Sequence, residues 1–207
     1  EKLSKSKGVV LDPFYFIHTY SSDALRYFLI RETSFGQDGT FSEEALCSRL
    51  NEELVSTLGN FVHRVLTFTW NHFGGKAPAG EVDSKIETEV KSRIEEVERL
   101  LEGLKLGQAL ERAMSIAKLG NEYFQSTRPW EAVKTEPKRA ADCILTCLNL
   151  VKTLSVILMP FLPSASEKIA EMLRLGVLDL ESAKRFDLRP GHAISKPSIL
   201  FLSLIHI

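Results

Sequence analysis

Apolar residues in this chain recur every three or four positions, and that spacing limits it to helical architectures before any other property is considered. Leu54, Leu58, Phe61, Val65 and Phe68 form one stripe, Ile86, Val90, Ile94, Val97 and Leu101 a second, and Leu110, Ala113, Met114 and Ala117, with Tyr123/Phe124, a third. A residue advances about 100° around an α-helix, so each set lies on one face. No stretch of useful length alternates with period two, the signature of a half-buried strand. Boundary residues agree with this. Ser21-Ser22-Asp23, Ser42-Glu43-Glu44 and Asp83 supply N-cap chemistry, while Gly74-Gly75, Gly103 and Pro160 stop helices, Pro129 interrupts one, and Pro137 and Pro163 start others. Helices are therefore expected over about 22–32, 42–74, 83–102, 106–126, 137–159 and 163–174. Short turns between them make an all-α, up-and-down antiparallel helical bundle the natural fold.

At 207 residues, 44% hydrophobic and 26% charged, the chain can bury a sizeable core as one domain with appendages. Its formal net charge of −1 sets up no global field for a polyanion, so any nucleic-acid contact must come from a local patch. Cys47, Cys143 and Cys147 are odd in number, and the last two are spaced for one helix face rather than for a disulfide framework. That usage predicts a reducing, cytoplasmic setting. No signal peptide is visible, and the apolar stretches 154–162 and 199–207 are too short to span a bilayer, so no membrane partner is expected. The chain opens inside a loop motif without an initiating Met, which predicts a piece of a larger polypeptide. Residues 202–207 have no acidic residue or turn signal and read as a truncated or mis-joined end.

Three places carry candidate chemistry. Glu1-Lys2-Leu3-Ser4-Lys5-Ser6-Lys7-Gly8 interleaves lysines with small hydroxyl residues and closes on glycine. Such a loop can handle phosphate through Lys2, Ser4, Lys5 and Ser6, although short Lys/Ser stretches are also ordinary solvated loops. It is not a Walker-type loop, because no glycine-rich segment precedes the lysine. Asn60 and Arg64 lie beside the first apolar stripe, within one turn of each other, where both can project into one shallow site. Trp130 follows a proline at a helix break, a position that suits either a core or lid tryptophan or an indole stacked on an unpaired base. Asp23 and Arg26, three apart, are spaced to pair with each other. Cys143 and Cys147 have no partners at metal-ligand spacing, so no metal site is expected.

Lys2 to Ser6 matches four of the five residues of Lys-Met-Ser-Lys-Ser, the second signature of class I aminoacyl-tRNA synthetases, with Leu3 in place of methionine. Gly8 to Pro13, Ser22 to Leu29 and Phe35-Gly36-Gln37-Asp38-Gly39-Thr40-Phe41-Ser42 resemble the segments that follow this signature in methionyl-tRNA synthetases, particularly their archaeal-like form. Asn60-Phe61-Val62-His63-Arg64 and Pro129-Trp130 resemble that family's anticodon-reading residues. The resemblance implies a signature loop and stem-contact segment over 1–44, a helical anticodon-binding domain over 45–175 and a return segment over 176–207. It assigns Lys2 and Lys5, with Ser4 and Ser6, to ATP (with Mg2+) in the full-length enzyme, Lys5 having the larger part in adenylate formation. It assigns Asn60, Arg64 and Trp130 to the CAU anticodon of tRNA(Met). Methionine and ATP would bind a catalytic domain that these residues do not include, so this chain by itself is expected to be inactive. The nearest alternative is another class I enzyme, valyl, leucyl, isoleucyl or cysteinyl. From a different class, a non-catalytic tRNA-binding bundle would keep the same helices.

Overall fold

The computed structural model describes residues 12–32, 41–177 and 179–202. The Lys2/Ser4/Lys5/Ser6 loop, the segment Phe35 to Thr40 and residues 203–207 lie outside them. Among the described residues all regular elements are helices, and one isolated antiparallel bridge joins Lys76 and Ala193.

Two short helices come first, α1 (Pro13–Tyr20) and α2 (Ser22–Glu32). Spacing alone does not predict α1, yet its start is written in the sequence: the Asp12 carboxylate accepts from the Phe14 N–H and Pro13 takes the first turn, where no N–H is needed. Leu29 of α2 is exposed. Asp23 and Arg26 do not pair as their spacing suggests. The buried Asp23 carboxylate accepts from the Ser164 and Ala165 N–H groups, at 3.4 and 2.8 Å. Arg26 donates to the Phe161 and Pro160 carbonyls, at 3.1 and 2.9 Å. Both contacts satisfy backbone groups that a helix start and a tight turn leave without partners, which is worth more than an exposed ion pair.

The expected 42–74 helix is one continuous rod in three parts. After the Ser42 cap come α3 (Glu43–Arg49), a π-helical stretch (Leu50–Gly59) and α4 (Asn60–Phe73), with right-handed helical torsions at Leu50, Gly59 and Asn60. Gly74, at φ 59°, ends it in the left-handed conformation that glycine adopts without strain. Then come α5 (Ser84–Glu102), capped by Asp83, and α6 (Leu106–Thr127). Pro129 does more than interrupt α6, because it opens a further helix, α7 (Pro129–Thr135). Next follow α8 (Pro137–Ile157), α9 (Pro163–Met172) and the single turn α10 (Leu180–Ala183).

The bundle is organised around α8, which packs against α4, α6, α7, α9 and α10. Its 21 residues are long and apolar enough for a membrane span, at mean hydropathy 1.6, but 94% of that window is buried inside the protein. An apolar helix of this kind is what the centre of a bundle requires. Cys143 and Cys147 are buried on it, and burial pushes the Cys147 thiol up. Three polar residues of α8 are spent on the chain that returns after α9. Asn149 bridges the Leu188 N–H and carbonyl, Thr153 donates to the Ala183 carbonyl, and Lys152 donates to the Arg185 carbonyl and the Asp187 carboxylate. The return segment then lies along 75–77 through Ala77–His192, Gly191–Ala77 and Ile194–Gly75 bonds of 2.8 Å each.

Candidate anticodon interface

Asn60 and Arg64 stand on the first turns of α4, one turn apart on the edge that faces α6. The π-helical stretch before them has a local consequence. Asn60 sends its backbone N–H back to the Val55 carbonyl, the five-residue reach of a π-helix, and also to the Thr57 carbonyl. The Thr57 carbonyl additionally accepts from Asn121 Nδ2 of α6 at 2.9 Å. Asn121 also takes the Asn60 side chain, Nδ2 to Oδ1 at 3.4 Å, and Arg64 donates to Gln125 Oε1 at 3.1 Å. These rungs hold α4 and α6 side by side at the surface.

Between the two helices lies a groove of about 770 Å³ lined by Ser56, Thr57, Asn60, Arg64, Lys118, Asn121, Glu122, Gln125, Ser126 and Arg128. The Arg64 guanidinium sits 4.6 Å above the Phe124 ring and 5.8 Å from the Trp130 ring. Stacking of this kind fixes the plane of the guanidinium while leaving its N–H edge available. Phe124 is buried, whereas Trp130 is 36% exposed and packs against it at 5.9 Å between ring centroids. Trp130 thus has one side on the core and the rest toward solvent.

The structure therefore brings together all three anticodon candidates, residues separated by up to seventy positions in the chain. Three other residues were not anticipated. Phe124 was expected only as a core residue, and Asn121 and Gln125 carry no signal beyond their i, i+4 spacing on α6. Their sum is chemically specific: an amide with donor and acceptor, a preorganised cation and an aromatic face, at one end of a polar groove. That set suits the Watson–Crick edge and the ring of an unpaired base. Among the described residues no three His, Cys, Asp or Glu side chains converge as metal ligands would.

Comparison with known proteins gives this geometry its context. Residues 74–206 match the family described as the anticodon binding domain of methionyl tRNA ligase, and residues 1–66 match class I tRNA synthetases of the methionine type. Asn60 and Arg64 thus fall in one matched segment and Trp130 in the other. Methionine–tRNA ligase of Pyrococcus abyssi is 37% identical over 208 residues, covering 97% of this chain and 28% of its own length. That of Methanopyrus kandleri is 38% identical over 173 residues, covering 84% of this chain and 26% of its own. Mycobacterium tuberculosis methionyl-tRNA synthetase bound by methionyl-adenylate superposes with a TM-score of 0.90 at 28% identity, over 96% of this chain and 41% of that one. Its apo form gives 0.87 at 26% identity, over 96% and 42%. The chain spans less than a third of the length of these curated relatives. With a matched profile over most of its length and a superposable bundle, the chain belongs to the methionyl-tRNA synthetase family, of which it carries the helical anticodon-binding domain.

Proposed function

We propose that this chain reads the CAU anticodon of tRNA(Met) through Asn60, Arg64 and Trp130, as the tRNA-recognising part of a methionine–tRNA ligase acting in the cytoplasm. The observation that carries this reading is Arg64, held over Phe124 and beside Trp130 at the edge of the groove that also contains Asn60. A guanidinium already fixed in plane loses little further freedom when it donates to the oxygen and ring nitrogen of a cytosine. Asn60, with an acceptor and two donors on an exposed side chain, can complete that edge. Trp130 offers its ring to a base lifted out of the loop. In the parent enzyme, 1–44 would supply the stem-contact segment and the loop in which Lys2, Ser4, Lys5 and Ser6 meet ATP, with Mg2+, while methionine is activated in a catalytic domain. Lys5 would there balance charge that grows on the α-phosphate.

The test is binding of an RNA stem-loop bearing CAU, compared with the same stem-loop carrying a changed triplet. Trp130→Ala should weaken CAU binding by about 1–3 kcal/mol, the value of one base–aromatic stack. A variant that kept wild-type affinity and wild-type preference for CAU would refute the assignment.

A further inference from the structure

The groove extends beyond the base-reading corner, and its charge differs from that of the whole chain. Its lining carries three cations, Arg64, Lys118 and Arg128, against one carboxylate, Glu122, in a protein of net charge −1. Arg64, stacked on Phe124, belongs to the base-reading corner. Lys118 and Arg128 are exposed and lie at the two ends of the α6 side of the groove. Ten residues of helix separate them, roughly 15 Å at 1.5 Å per residue, a length that several phosphates of a single strand can follow.

The backbone of Arg128 is also held in an uncommon conformation. It has φ 49°, a left-handed conformation that costs an ordinary residue free energy, because it closes α6 and must precede Pro129, which disfavours a right-handed helical neighbour. The conformation places the guanidinium two residues before Trp130 and on the groove lining. Its one ionic partner among the described residues is Glu131, at 3.6 Å with both side chains about 60% exposed, an arrangement too solvated to hold it.

From this placement we infer that Lys118 and Arg128 hold phosphates upstream and downstream of the base read by Asn60, Arg64 and Trp130, positioning the strand without reading its sequence. Glu122, between them along α6, opposes that contact. The inference rests on the anticodon reading above and separates from it by experiment, because phosphate contacts act through salt and charge whereas base contacts act through preference.

The probe is the 207-residue chain titrated with the CAU stem-loop and the changed-triplet stem-loop over a range of salt. Lys118→Gln and Arg128→Gln should each weaken both RNAs by the same factor and reduce the slope of log affinity against log salt by about 0.7, the double variant by about 1.4. Arg128→Lys should restore the slope, and Glu122→Gln should strengthen both RNAs alike. Melting temperatures of these exposed variants verify that they remain folded. Unchanged slopes in both single variants overturn the inference, as does a changed CAU preference in Arg128→Gln, which would make it a base contact. If the wild-type chain shows no CAU preference while the slopes still fall as stated, base reading fails and the backbone contact stands.

Discussion

Asp23 shows how little a residue's neighbours in sequence say about its partner. Its spacing to Arg26 is that of a helical ion pair, yet it is 2% exposed and caps the start of α9 more than 140 residues away. Removing the carboxylate leaves two backbone N–H groups at that start without their acceptor. Asp23→Ala should therefore cost about 1–3 kcal/mol in urea unfolding, whereas an exposed pair would cost little. A midpoint within error of wild type would show that the cap is dispensable. The candidate site residues differ in kind. Asn60, Arg64 and Trp130 were legible because they match a family's motif in order, while Phe124 was not, since a buried aromatic on a core stripe looks the same whether or not a cation lies over it.

Among the elements, the π-helical stretch is what sequence periodicity reports least well. Leu50, Leu54 and Leu58 are buried and spaced by four, a pattern that α and π geometry both keep on one face over so short a length. The choice is made by contact with α6, where Asn121 takes the Thr57 carbonyl and Phe61 packs on Gly120. A Cβ at Gly120 would lie 2.7 Å from Phe61 Cε1, and that ring is buried and unable to swing away. Alanine gains about 1 kcal/mol over glycine in helix preference, but overpacking a core costs about 1–3 kcal/mol. Gly120→Ala should therefore be destabilising in net, by up to about 2 kcal/mol, and should weaken CAU stem-loop binding by displacing the neighbour of Asn60. A stabilised variant would mean that α4 and α6 separate easily. α7 was missed for a simpler reason: a proline signals the end of one helix and the start of the next with the same residue.

At the scale of the whole molecule, the return segment is fastened to the bundle by the polar residues of α8, and one of those fastenings is ionic. Burial pushes the Asp187 carboxyl up, but the Lys152 ammonium donating to it, with Arg185 nearby, outweighs burial and leaves it below the ordinary carboxylate value. A carboxyl depressed on folding adds stability above its unfolded pKa, near 4, and loses it as pH falls through the folded value. Asp187→Asn should thus be less stable than wild type at neutral pH. The gap in urea midpoint should close below about pH 4. A gap independent of pH would mean that Asp187 acts through packing alone.

The long helices, most of their ends and the all-α class were written in the sequence, because periodicity, caps and prolines act over a few residues and need no knowledge of the fold. Family motifs named three candidate site residues on the same local terms. Tertiary structure decided which faces meet. It put the Asp23 carboxylate on α9, drew Asn149, Lys152 and Thr153 to the return segment, and set Arg64 over Phe124 and beside Trp130. Each of these depends on groups that only packing brings within a few ångströms, where a buried polar atom must find a partner or forfeit its hydration.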